Sequence, residues 1–193
     1  MPRTEVFDRE EVLERAKHTF WLKGYNGTSM QDLVDAMGLN RSSIYNSFGS
    51  KGELYELTLQ KYRSEAAQWR QKVFDKEKTA IETIGLLFLY GMQDILRDTE
   101  NKGCMMINCS TELGNQDEGI QGICTKNQED FVASLDELVQ RGQKEGNIRD
   151  DEKSLVLAHY LVTAFNGFRI TGLNIKDEKV LKGIIQNVLK TIT

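Results

Sequence analysis

Proline is almost missing: a single residue, Pro2, in a chain of 193, where average usage gives roughly ten. A chain without internal proline can run in long helices and lacks the rigid-loop and edge-strand markers of many β folds. Cysteine is sparse and odd in number, with Cys104, Cys109 and Cys124 confined to one 21-residue stretch. That is no disulfide framework, and it suits a reducing cytosol. Histidine is limited to His18 and His159, which leaves few candidates for a metal centre or a Cys-His nucleophile. Positive charge is not in excess either, at 25 basic against 29 acidic residues and a net charge of −4. A basic coat that grips nucleic acid at random is therefore absent, and any DNA contact has to come from a local patch. The longest apolar run, 155–165, contains His159 and is too short to span a bilayer. Six of the first twelve residues are charged, without the apolar stretch of a signal peptide. These absences predict a soluble, cytoplasmic protein with no membrane partner.

What is present reads as helices. Hydrophobics at 39% and charged residues at 28% suit a globular chain long enough to bury a core. Asp8 and Glu11 have capping-box spacing, with Phe7 and Val12 placed as a hydrophobic staple. Val12, Leu13, Ala16 and Phe20 then recur at helical spacing up to Gly24, a C-terminal stop. Ser29 and Asp32 form a second box, opening a short helix with Met30, Leu33, Val34 and Met37 on one face, stopped by Gly38. Asn40 is placed to cap a third helix in which Ile44 and Phe48 share a face. Gly49 ends it. Ser50 and Glu53 form another box, and the fourth helix turns Leu54, Thr58 and Tyr62 inward.

Two short helices joined by a glycine turn, with a longer helix before them, make a helix-turn-helix pattern. The second short helix is the informative one. Ile44 and Phe48 suffice for its core side, which leaves Arg41, Ser42, Tyr45 and Asn46 on the other, with Lys51 just beyond. No carboxylate occurs in the 17 residues between Asp35 and Glu53. In an acidic chain this is the local patch that the charge balance requires. Arg can read guanine and Asn adenine, while Ser and Tyr can reach phosphates or a thymine methyl. A helix entering the major groove needs that polarity.

The stretch GYNGTSMQDLVDAMGLNRSSIYNSFGSKGEL, residues 24–54, resembles the DNA-binding region of TetR-type transcriptional repressors. The likeness runs from about Val12 to Leu59 and keeps the spacing of the glycine turn, of Ile44-Tyr45-x-x-Phe48 and of Ser50-Lys51-x-x-Leu54. The resemblance implies an all-α fold of about nine helices. A three-helix DNA-binding domain would occupy 1–50, the helix from 51 connecting it to an effector-binding and dimerisation domain at 51–193. It also implies that Thr28, Tyr45 and Lys51 hold phosphates and that Arg41, Ser42 and Ser43 approach base edges, with Asn46 beside them. One departure is that many relatives carry histidine near Asn46 or Ser47, and this chain does not.

Beyond the motif, helical stripes continue. Ile81, Ile84, Phe88, Gly91 and Ile95 form one, a short helix covers 105–113, and a long one runs from about Ile120 to Gly146. Asp150 or Asp151 is placed to cap a helix that is apolar nearly all round, and Asp177 caps the last. These last two helices carry more apolar surface than a small domain needs for itself, and Gly167 and Gly183 let backbones approach. Read from the residues alone, that is either a homodimer interface or a larger intrachain core; in a TetR-like chain the two helices pair with their copies.

An enzyme is the rival class. The chain has no phosphate-cradling glycine loop, serine elbow or H-E-x-x-H. Cys104 and Cys109, five apart, point about 140° apart on a helix, so neither a catalytic nor a metal site is expected, and no cofactor. His18 is expected on the surface. Trp69, Phe88 and Phe131 are core by default and candidates to line an effector pocket, together with His159. Cys104 follows Lys102-Gly103 and opens the 105–113 helix. It reads first as a small buried apolar residue at the pocket entrance, and second as a thiol in a setting that makes it more reactive; with Glu112 it resembles a subgroup of TetR-type repressors that sense electrophiles or oxidants. Cys109 and Cys124 are expected in the core. The expected function is a sequence-specific repressor on double-stranded DNA, released from a palindromic operator by a small molecule or a thiol-reactive signal. The alternatives are an activator of the same fold and, in another class, a small-molecule-modifying enzyme.

Overall fold

The computed structural model describes residues 7–74 and 78–193; the first six residues, part of the segment read for a signal peptide, lie outside them. Among the described residues there are nine helices and no strand: α1 Arg9–Gly27, α2 Met30–Met37, α3 Arg41–Phe48, α4 Lys51–Phe74, α5 Ala80–Arg97, α6 Met105–Leu113, α7 Glu118–Glu145, α8 Ser154–Thr171 and α9 Glu178–Ile192. None of them is long and apolar enough to cross a membrane. The chain groups into two compact units. One takes residues up to Glu65 together with Met105–Cys124; the other takes Ala66–Cys104 with Thr125–Thr193.

In the first unit the local signals set the helix ends. Ser29 and Asp32 cap α2 reciprocally, and Gly38 closes it in the left-handed conformation at φ 68°. The Asn40 side chain accepts the Ser43 N–H and starts α3. Asp8 accepts from the Glu10 and Glu11 amides, but Glu11 turns to Arg15 and the box is only half formed. Phe7 lies against Phe48, ring centroids 6.3 Å apart. Ala16, Phe20, Leu33, Met37, Ile44, Leu54 and Leu59 make the core, with Tyr55 set edge-on to Phe20 at 4.9 Å. Because Asn40 satisfies an otherwise orphaned α3 amide, Asn40→Ala is expected to cost about 1 kcal/mol of stability, read as a lowered midpoint in denaturant.

Gly24 ends the first run of α1 as expected: at φ 73° and ψ 171° it is non-helical, and a short second run follows it to Gly27. A left-handed φ is cheap only for glycine, and a side chain here would also meet the Glu112 carboxylate at 2.8 Å.

The second unit buries Ile84, Leu87 and Phe88 of α5, Leu135 and Val139 of α7, Leu161 of α8 and Leu181 of α9. Thr79 and Glu82 form a capping box on α5, and Asp177 caps α9 as its position predicts. Helix α8 departs from expectation: Lys153 occupies the cap position without a side-chain bond, and Asp151 pairs with Arg149 at 2.6 Å instead. Nor is α8 buried on all sides within one chain. Leu157, Ala158, Leu161, Val162 and Phe168 face the core, while Leu155, Val156 and Ile170 stay about half exposed at 51%, 48% and 49%.

Candidate nucleic-acid interface

Helix α3 has two faces with different chemistry. Ile44 and Phe48 point into the core at 1% and 4% exposure. Arg41, Ser42, Tyr45 and Asn46 face solvent. Among the described residues, the Arg41, Ser42, Tyr45 and Asn46 side chains make no hydrogen bond or ion pair, so their polar groups are available to an outside partner. Ser43 is half-buried, and its amide is spent on the Asn40 cap. The end of α3 is fixed by Arg9, whose guanidinium lies 4.4 Å from the Phe48 ring centroid and donates to the Ser47 carbonyl at 2.8 Å.

The acids flanking this face are turned to local partners. Asp32 takes Lys23 at 2.5 Å and the Ser29 amide and hydroxyl, which together hold its carboxyl well below the usual carboxylate range. Glu53 accepts the Ser50 amide at 2.7 Å and is lowered by that bond and by the Ser50 hydroxyl. Gln31 donates to Asp35 at 2.8 Å. The negative charges nearest α3 are thus spent on caps and pairs.

Lys51 opens α4, its ammonium 4.3 Å above the Tyr25 ring, a cation–π distance. Tyr25 is itself held from behind. Its amide donates to Glu112 Oε2 at 3.0 Å and the Asn26 amide to Oε1 at 2.7 Å. A carboxylate carried by α6 therefore caps the helical turn that resumes after the Gly24 kink. Nothing near residue 24 announces this partner.

Thr28 does not join this surface. It is 1% exposed, and its hydroxyl donates to the Gly24 carbonyl at 2.6 Å. In this structure the hydroxyl proton is spent on the kink.

The candidates for an effector site separate in the second unit. Phe88 and Phe131 are brought together by Phe165, at 5.3 Å and 5.6 Å between ring centroids, both edge-to-face. The Arg70 guanidinium lies 4.9 Å from the Phe131 centroid. Trp69 packs edge-on against Tyr90 at 5.7 Å. His159 is exposed on the outer side of α8 and is not a core histidine; it falls on the strip with Val156, Thr163 and Gly167 that points away from Leu161. Cys104 is half-buried after Gly103, whose amide donates to Asp98 and whose carbonyl accepts from Arg169. Lys102, the cation expected beside that sulfur, is ion-paired with Glu100 and Asp98. Cys109 is buried as expected, but Cys124 is only half-buried and the two sulfurs touch.

Residues 12–58 match the family described as bacterial regulatory proteins, tetR family. The chain is similar to the HTH-type transcriptional regulator YezE of Bacillus subtilis, at 30% identity over 166 residues, 83% of this chain and 84% of that one. It is also similar to the HTH-type transcriptional repressor ComR of Escherichia coli, at 28% identity over 170 residues, covering 88% and 81%. The fold is similar to that of a cysteine mutant of the TetR family transcriptional regulator CifR, complexed with 26-bp double-strand operator DNA. The TM-score is 0.88 at 24% identity, over 99% of this chain and 100% of that one.

Proposed function

The chain belongs to the tetR family of bacterial regulatory proteins, and from that premise we propose that it binds a palindromic operator as a homodimer and releases it when an effector engages residues 51–193. It is a DNA-binding transcriptional regulator and not an enzyme. Residues 1–50 read the DNA, the helix from 51 connects, and the protein acts in the cytoplasm. Arg41, Ser42 and Ser43 approach base edges from the first turn of α3, Asn46 reaches an adenine, and Tyr45 and Lys51 hold phosphates. The observation that carries this reading is the unpaired polar face of α3 in a chain of net charge −4 with no carboxylate between Asp35 and Glu53.

The dimer rests on α8 and α9. Val156, Ile170 and Val180 stand 48%, 49% and 45% exposed, and nothing lies within 4 Å of where a Cβ would stand on Gly167 or Gly183. Open glycines between exposed aliphatics suit the close approach of a second pair of helices. His159 belongs to this face. The effector is a small molecule or a thiol-reactive species; the Phe88–Phe165–Phe131 cluster and Trp69 supply apolar walls for a small molecule. Its binding shifts the pair of recognition helices to a spacing that no longer fits the half-sites.

Selection from random duplexes, followed by gel shifts with the selected and a scrambled sequence, tests the reading. Equal affinity for both at low salt would sink it. Lys51→Ala is expected to weaken every sequence alike and to lower the salt slope of binding by about one, since one phosphate contact goes.

A further inference from the structure

Two thiols meet in the first unit. Cys109 of α6 is fully buried, Cys124 in the early turns of α7 is half-buried, and their sulfurs lie 3.5 Å apart in a shared hydrogen bond. The two cysteines are not equivalent. The hydrogen bond shared with Cys109, and the nearby Ser110 side chain, favour the Cys124 thiolate against the cost of its burial and hold its pKa down to about 6. Cys109 is pushed up by the hydrogen bond to Cys124 and by burial, beside the buried Tyr55. One sulfur is partly exposed and favoured as the thiolate, and the other is buried and within reach of its neighbour.

We propose that Cys109 and Cys124 are an oxidation site, forming a reversible disulfide with a hydroperoxide and passing the change to the DNA-binding helices through Glu112. The Cys124 thiolate attacks the peroxide; an S–O bond forms, the O–O bond breaks, and the departing alkoxide takes up the proton that Cys124 gave to solvent. Cys109 then attacks the sulfenic acid, its thiol proton leaves with the hydroxide as water, and the S–S bond forms. In balance, two thiols and one hydroperoxide give one disulfide, one alcohol (or water) and one water.

The step has a mechanical consequence. A disulfide needs its sulfurs at about 2.05 Å, so they must close by roughly 1.5 Å from 3.5 Å, through rotation of the two side chains and a shift of α6 against the start of α7. Cys109 and Glu112 are three residues apart on α6 and share a face. Glu112 grips the Tyr25 and Asn26 amides at 3.0 Å and 2.7 Å, bonds that weaken as α6 shifts. Displacing this grip disturbs the α1 kink and the Tyr25 ring on which Lys51 rests. The DNA half of this inference rests on the proposed regulator function; the chemical half does not.

The test separates the two. Trypsin leaves all three cysteines on one peptide, 103–126, and cleavage after Glu112 and Glu118 then parts Cys124 from the others. After mild hydrogen peroxide, wild type and Cys104→Ser are expected to yield peptide 103–112 linked to 119–126, and to bind the selected operator roughly 5- to 150-fold more weakly, the span of ordinary allosteric coupling. Dithiothreitol restores both. Cys124→Ser and Cys109→Ser are expected to form no link and to keep their affinity under peroxide. Absence of the link in Cys104→Ser, a link that leaves affinity unchanged, or a Cys124→Ser protein as sensitive as wild type overturns the proposal. A reduced protein that binds no duplex overturns the regulator reading and the relay together, whereas one that binds but does not link overturns the oxidation site alone.

Discussion

Ile170→Glu is expected to turn a dimer into a monomer and to abolish specific operator binding. Ile170 is about half exposed in the single chain, so a carboxylate there leaves the fold of one copy intact, within the ±0.5 kcal/mol usual for surface changes. In an isologous interface the substitution appears twice, once from each copy. Each carboxylate would be buried without a partner, at an effective cost of several kcal/mol per ion. Deprived of its partner, a monomer can engage only one half-site. Its affinity should fall from the nanomolar range of specific complexes toward the micromolar or weaker range of non-specific ones. Sedimentation, thermal denaturation and gel shifts on one preparation check this: monomer, a still cooperative transition at a lower midpoint that no longer depends on concentration, operator lost. Val156→Glu on the same outer face of α8 should behave alike. A wild type that sediments as monomer at micromolar concentration, or an Ile170→Glu protein that keeps its operator, removes α8 from the interface.

Helix α8 is where sequence patterning stops being informative. An apolar helix looks the same whether it is wrapped by its own chain or by a copy, because hydrophobic periodicity records the need for burial and not the partner that supplies it. Only the fold shows that Leu157, Leu161 and Phe168 are used internally while Val156, His159 and Ile170 are not. Local signals were fully legible: the Ser29–Asp32 box, the left-handed Gly38 and the Asn40 cap place α2 and α3 with their polar and apolar faces in the expected sense. Long-range partners were not. Gly24 reads as a stop and is one, but the turn that resumes after it is capped by Glu112, 87 residues from Tyr25, which no local pattern announces. Thr28 reads as a phosphate ligand by resemblance, and the same kink consumes its hydroxyl. Cysteines at spacing five and fifteen carry no pairing signal until α6 and α7 are set side by side.

Arg41→Ala is the most direct test of the recognition face. The residue opens α3, where a helix lying in the major groove brings its first turn to the base edges. It is exposed, and among the described residues its guanidinium has no hydrogen-bond or ion-pair partner, so its removal leaves nothing unsatisfied inside the protein. A bidentate guanidinium–guanine pair is worth about 1–3 kcal/mol of discrimination, and the operator should therefore bind roughly 5- to 150-fold more weakly. The loss should be specific in a way that Lys51→Ala is not. Affinity for scrambled DNA should barely change, and replacing the contacted guanine in the operator should cost the variant little while costing wild type the full amount. Arg41→Lys should recover only part of the loss, because a point charge on a flexible stem cannot reproduce the planar fork. If Arg41→Ala instead weakens operator and scrambled duplex by the same factor, Arg41 is a phosphate contact, and base reading passes to Ser42 and Asn46 on the same exposed face.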